Sequence, residues 1–170
     1  LWEEDFSAVK TAIDDLRQLG VSDFREYLQQ HQDFVDRAIN LVRIVDVNRT
    51  TLRMFEARSK RDLLQDLSRV FDASTREVFV EQLVAIAEGR TVVEGEVALR
   101  TLSGRPISAL FSIRFPKQDT DSALDNSFDS VLVSLTDITE RRAAEDAVRS
   151  EIEIRETLAD VGASLTAELD

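Results

Sequence analysis

Val131-Leu132-Val133-Ser134-Leu135-Thr136-Asp137-Ile138-Thr139-Glu140-Arg141-Arg142 changes its periodicity part-way through. Val131, Val133 and Leu135 alternate with Ser134 and Thr136, with Leu132 the one apolar residue on the second face. That is the pattern of a half-buried β-strand. From Glu140 onward the residues are charged and helical in pattern, with no glycine before Gly162. A strand thus passes through Asp-Ile-Thr into a long helix, and the upstream residues must supply the rest of the sheet.

Immediately upstream, Thr91–Thr101 and Arg105–Phe115 flank Ser103-Gly104, a hairpin signal. In the second of these strands Ile107, Ala109, Phe111, Ile113 and Phe115 share one face, and Gly95 in the first suggests a bulge. Residues 116–126 hold Asp119, Asp121 and Asp125 among small polar residues and read as a loop. Before the hairpin, Ser74 with Glu77 forms a capping box for a helix through Val78, Phe79, Leu83 and Ile86 that Gly89 closes. Ser59 with Asp62 opens a shorter helix containing Leu63, Leu64 and Leu67. Asn48 is placed to cap another, directly after the β-branched strand Leu41–Val47.

Residues 8–40 are largely helical in pattern. Val9, Ala12, Ile13 and Leu16 lie on one face of a first helix that Gly20 ends. Ser22 is the expected cap of a second helix with Phe24, Tyr27 and Leu28, and a third surrounds Phe34, Val35 and Ala38. Helices grouped before a three-strand antiparallel meander give an α+β class rather than a doubly wound sheet.

The chain has 170 residues, 43% of them hydrophobic and 32% charged, enough for one domain with an extension. A formal net charge of -12 argues against a nucleic-acid partner and against adsorption to an anionic membrane. No apolar run approaches the roughly 20 residues of a membrane span, and no secretory signal is visible. Cysteine is absent, which excludes disulfides, thiolate metal sites and cysteine nucleophiles and fits a reducing cytoplasm, the expected location.

Asn48 with its helix, the hairpin around Leu102-Ser103-Gly104-Arg105 and the run Asp137-Ile138-Thr139-Glu140-Arg141 together resemble a PAS domain over roughly residues 41–142. The resemblance implies a five-stranded antiparallel sheet with helices on one face. Leu1-Trp2-Glu3-Glu4-Asp5 is then the first strand, as in bacterial sensor PAS domains with a helical insertion, here 8–40, between the first and second strands. Residues 1–139 would be the sensory domain and 140–170 a signalling helix. Leu158–Asp170 resembles the helix that opens a GAF domain. The implied function is that of a non-catalytic sensory and dimerisation module of a bacterial signalling protein, a sensor histidine kinase or cyclic-dinucleotide enzyme, with an output domain downstream. The alternative is a protein-interaction scaffold that uses the helical insertion and holds no small molecule.

The resemblance draws the walls of a small-molecule pocket from Leu52, Met54, Phe55, Phe71, Phe79, Phe111, Ile113 and Val133. The competing reading is that these side chains simply fill the core, and no polar group among them marks a ligand anchor. Asp137, Thr139 and Arg141 form the expected joint between strand and helix, with Arg141 a charge partner for Asp137. Ala144, Ala147, Ile154, Leu158, Val161 and Leu165 follow a seven-residue repeat interrupted by Glu151 and Glu168. Such a stripe pairs with a second copy as a parallel coiled coil, or folds back on its own sheet.

No cofactor is named by the sequence. Flavin adduct chemistry needs a cysteine, and the only histidine, His31, lies between Gln30 and Gln32 with no second ligand near, which argues against haem. His31 also lacks the acidic residue that commonly follows a phospho-accepting histidine. No metal site and no catalytic constellation emerges. The adjacent carboxylates Glu3-Glu4 and Asp14-Asp15 are expected to be solvated.

Overall fold

Five strands, β1 (Trp2–Asp5), β2 (Arg43–Val47), β3 (Val92–Arg100), β4 (Pro106–Arg114) and β5 (Val131–Asp137), form one antiparallel sheet in the order β2-β1-β5-β4-β3. The computed structural model describes residues 1–65, 70, 73–117 and 127–167, with 73, 74 and 156–167 described in backbone alone. Among these, the helices are α1 (Ser7–Gln18), α2 (Phe24–Gln30), α3 (Gln32–Leu41), α4 (Arg49–Met54), α5 (Lys60–Gln65), α6 (Ala73–Glu88) and α7 (Thr139–Ala167). The chain divides into two units, Leu1–Asp137 and Ile138–Asp170.

Strand alternation decides which sheet face meets the helices. On β3 and β4 the buried side chains are Val93, Val97, Leu99, Ile107, Ala109, Phe111 and Ile113, while Glu94, Glu96, Arg100 and Arg114 point to solvent. β5 continues the inner face with Val131 and Val133. Against it lie the apolar sides of α1 and α6, with Val9, Ile13, Leu83, Val84 and Ile86 fully buried. Each such side chain contributes about 1.5–3 kcal/mol by leaving water. The expectation of an α+β, PAS-like five-stranded antiparallel sheet with helices on one face holds.

Local signals set most element ends. Asn48 Oδ1 accepts from the Thr51 amide at 2.9 Å, and Ser59 Oγ from the Asp62 amide at 3.1 Å. The β3–β4 turn closes through Thr101 N to Arg105 O at 2.8 Å, with Gly104 at φ 91°, a conformation glycine adopts without strain. Glu56 ties α4 to this turn by accepting from Ser103 and from Arg105 Nε.

Three expectations differ from the fold. The cap of α2 is Asp23, whose Oδ1 accepts from the Glu26 amide at 2.9 Å, not Ser22. Leu41 ends α3 instead of opening β2. Gly95 marks no bulge: it pairs in regular register with Phe111, whose ring edge would lie 2.9 Å from a Cβ built on Gly95. The glycine makes room for an aromatic ring lying across it. The irregularity lies elsewhere in the sheet, between Glu3 and Glu4, which pair with Asp46 and Ile44 and leave Val45 over. The Ser74 cap, Leu67 and most of the 116–126 loop fall outside the described residues or side chains.

Candidate functional site

Two-residue alternation on β1 sends Trp2 and Glu4 inward, followed just past the strand by Phe6. Glu3 and Asp5 take the other face. Glu3 accepts from Ser130 Oγ at 2.6 Å, while Asp5 accepts from the Ser7 amide at 2.8 Å and pairs with Arg43. The Arg43 hydrogen bond, with that of the Ser7 amide, holds the Asp5 carboxyl below the usual aspartate range.

The inward trio opens on a cavity of about 650 Å³, within the range of about 300–1,000 Å³ of small-molecule sites. Its sheet side is completed by Ile44, Val97, Leu99, Phe111, Val133 and Leu135. The opposite side comes from the end of α3 (Ile39 and Asn40, then Val42) and from the first turns of α6 (Thr75, Arg76, Val78, Phe79, Gln82). Arg76 holds these two helices together, donating to the Gln32 carbonyl at 3.0 Å and pairing with Asp36. Arg25 of α2 pairs with Glu81 of α6. The inserted helices therefore supply part of the cavity wall.

Glu4 is the single anion on this wall and Arg76 the single cation, among the described residues. Nothing among the described residues donates to the Glu4 carboxyl. Burial pushes its pKa up to about 7, because the surrounding apolar side chains replace the water that would stabilise the ion. Glu4 keeps part of its surface accessible and is among the residues that line the cavity. The expectation of a solvated Glu3-Glu4 pair fails for Glu4, since the two side chains leave a strand on opposite faces.

Of the residues expected to wall a pocket, Phe79, Phe111 and Val133 line the cavity. Phe55 is fully buried with its ring edge-to-face on Trp2 at 5.7 Å, and Ile113 is fully buried in the sheet core. Leu52 and Met54 pack against that core from α4, away from the cavity wall. Phe71 lies outside the described residues. Asp137 ends β5, Thr139 opens α7, and Arg141 reaches Glu145 one turn on at 3.2 Å. Ala144, Ala147 and Ile154 are exposed on α7, Ile154 at 60%, whereas the side chains of Leu158, Val161 and Leu165 lie outside those described. His31 joins α2 to α3: its ring stacks on Tyr27 at 3.9 Å and its Nδ1 lies 2.8 Å from the Tyr27 carbonyl. Among the described residues no acidic or histidine cluster is arranged for a metal ion, and no helix is long and apolar enough to cross a membrane.

The sheet order, the helices on one face and the space they enclose define a PAS-like α+β domain. Solved structures of similar fold include the PAS domain of a protein from Colwellia psychrerythraea, with 14% identity, a TM-score of 0.44, and coverage of 57% of this chain and 78% of that one. The PAS domain of the fruit-fly ELK potassium channel is similar at 18% identity and TM-score 0.40, covering 56% of this chain and 76% of that one. No protein-family model matches the sequence, and a search of curated proteins returns no match.

Proposed function

We propose that this chain is a PAS-type sensory and dimerisation module with no catalysis of its own. Residues 1–139 form the sensory domain, 8–40 its helical insertion, and 140–170 a signalling helix that pairs with a second copy. The module serves a bacterial, cytoplasmic signalling protein, a sensor histidine kinase or cyclic-dinucleotide enzyme, whose output domain follows.

One observation supports this reading: β5, one of the strands that line the cavity, is also the strand that leads into the long helix. Val133 and Leu135 face the cavity, and β5 ends at Asp137, two residues before α7 begins. β1 and β4, which carry Glu4 and Phe111, flank β5 in the sheet, with Glu4 opposite Val131 and Phe111 opposite Leu135. A change in the cavity thus reaches the start of α7 through hydrogen-bonded neighbours, and a rotation or register shift of paired helices would carry it onward. Exposed apolar side chains on α7 (Val148, Ile152 and Ile154) support pairing with a second copy.

The scaffold alternative needs an apolar face on the inserted helices to be free for a partner. Val9, Ile13, Leu28 and Val35 are instead fully buried within this chain. A native mass spectrum beside a denaturing one tests the proposal. A dimer carrying a non-covalent small molecule is the expected result. A monomer at every concentration would overturn the dimer, and a dimer without a passenger would shift the input toward a partner protein.

A further inference from the structure

The cavity holds one acid among aromatic and aliphatic walls, and the acid has no partner among the described residues. Trp2, Phe6, Phe79 and Phe111 present rings to the same space. Trp2 and Glu4 are two positions apart on one strand face, and so about 6–7 Å apart along β1. A carboxyl without a donor in such a setting is unstable as an ion, and apolar packing cannot compensate it. An ammonium group supplies what is missing: hydrogen-bond donors and the opposite charge for the carboxylate, and a cation for the faces of the rings. Arg76, the one cation on the cavity wall among the described residues, is already engaged by Asp36 and Gln32 on the helical side. The chain's 33 acidic against 21 basic residues favour the approach of a cation over an anion.

We propose that the cavity binds a small organic amine with an apolar, aromatic-sized body, its ammonium paired with the Glu4 carboxylate and its body set against Phe79, Phe111 and Val133. This deepens the sensory proposal and rests on it, because it names the ligand class of the same cavity. The raised pKa of Glu4 adds that binding is linked to loss of a proton.

The probes are tryptamine and its two near-isosteres, neutral tryptophol and anionic indole-3-propionate, titrated calorimetrically into the full chain at about pH 8. Tryptamine is expected to bind at least about tenfold more tightly than either. Glu4→Gln should erase that preference. Glu3→Gln, an equal change in charge on the opposite face, should keep it, with circular dichroism verifying that both variants fold. Tighter binding of tryptophol or indole-3-propionate would overturn the amine class and leave the sensory proposal standing. An unchanged tryptamine preference in Glu4→Gln, or no tryptamine binding at all, would overturn it equally. The sensory proposal fails on a different observation, a ligand that binds the cavity yet leaves the amide exchange of β5 and α7 unchanged.

Discussion

Replacing Glu4 by glutamine should stabilise the fold, by an amount that depends on pH in a defined direction. Burial raises the Glu4 carboxyl from 4.5 to about 7. At about 1.4 kcal/mol for each tenfold change in proton affinity, the ionised side chain is about 3 kcal/mol less favourable in the fold than in the unfolded chain. Below about pH 4 both states keep the proton, and the substitution is close to neutral. Between 4.5 and about 7 the unfolded chain ionises first, so the stability of the unsubstituted protein falls as pH rises. Above about 7 the loss is complete. Glutamine carries no charge and escapes it, so Glu4→Gln should gain about 2–3 kcal/mol at about pH 8.5, equal to about 5–10 °C in melting temperature for a domain of this size. Thermal melts across this range, with ligand-free protein, measure it. A gain of equal size at low and high pH would refute the reasoning, as would no gain at about pH 8.5. The first result would put the benefit in packing, and the second would put Glu4 in water.

Gly95→Ala places a methyl where the Phe111 ring edge now lies, at 2.9 Å, and should cost about 1–2 kcal/mol in urea unfolding, with Gly95→Val costing more. Asp5→Asn weakens the acceptor for Arg43 and the Ser7 amide and should cost about 1–2 kcal/mol at neutral pH. Because the Asp5 pKa is lowered from 3.8 in the fold, that stability is present above 3.8 and disappears as the pH falls through the folded-state value, so the variant and the parent should converge in acid melts. Ile154→Asp puts a charge on the exposed stripe of α7 and should weaken self-association by at least about tenfold in sedimentation, with the melting of Leu1–Asp137 unchanged.

Elements governed by short-range chemistry were legible from the residues. Asn48, Ser59 and the Ser103-Gly104 turn each act on a backbone amide or dihedral within a few residues, so their spacing suffices. The alternation of Ile107, Ala109, Phe111 and Ile113 gave the buried face of β4 for the same reason. Features that depend on a residue's partner across the sheet were less visible. Gly95 suggested a bulge because glycine is common there, but its cause is the ring of a residue sixteen positions later. Leu52, Met54 and Ile113 are apolar like the cavity wall, and only the tertiary packing separates core from wall. Glu4 carried a signal that adjacency obscured. It stands midway between Trp2 and Phe6 at two-residue spacing, and on a strand bounded by two buried aromatic residues the middle position also faces inward.

The position of β1 in the sheet has a consequence for how the chain reaches this fold. β1 is an interior strand, with β2 on one side and β5 on the other, and Trp2 pairs with Val133 while Phe6 donates to Phe128 at 2.7 Å. β1 thus finds half of its hydrogen-bond partners only after β5, far later in the chain, has been made. The β3–β4 hairpin and the inserted helices can form from neighbours, but β1 must be held open as a slot until β5 arrives. Long-range closure of this kind slows folding relative to local pairing. It makes the arrival of β5 the step that completes the sheet, and with it the cavity.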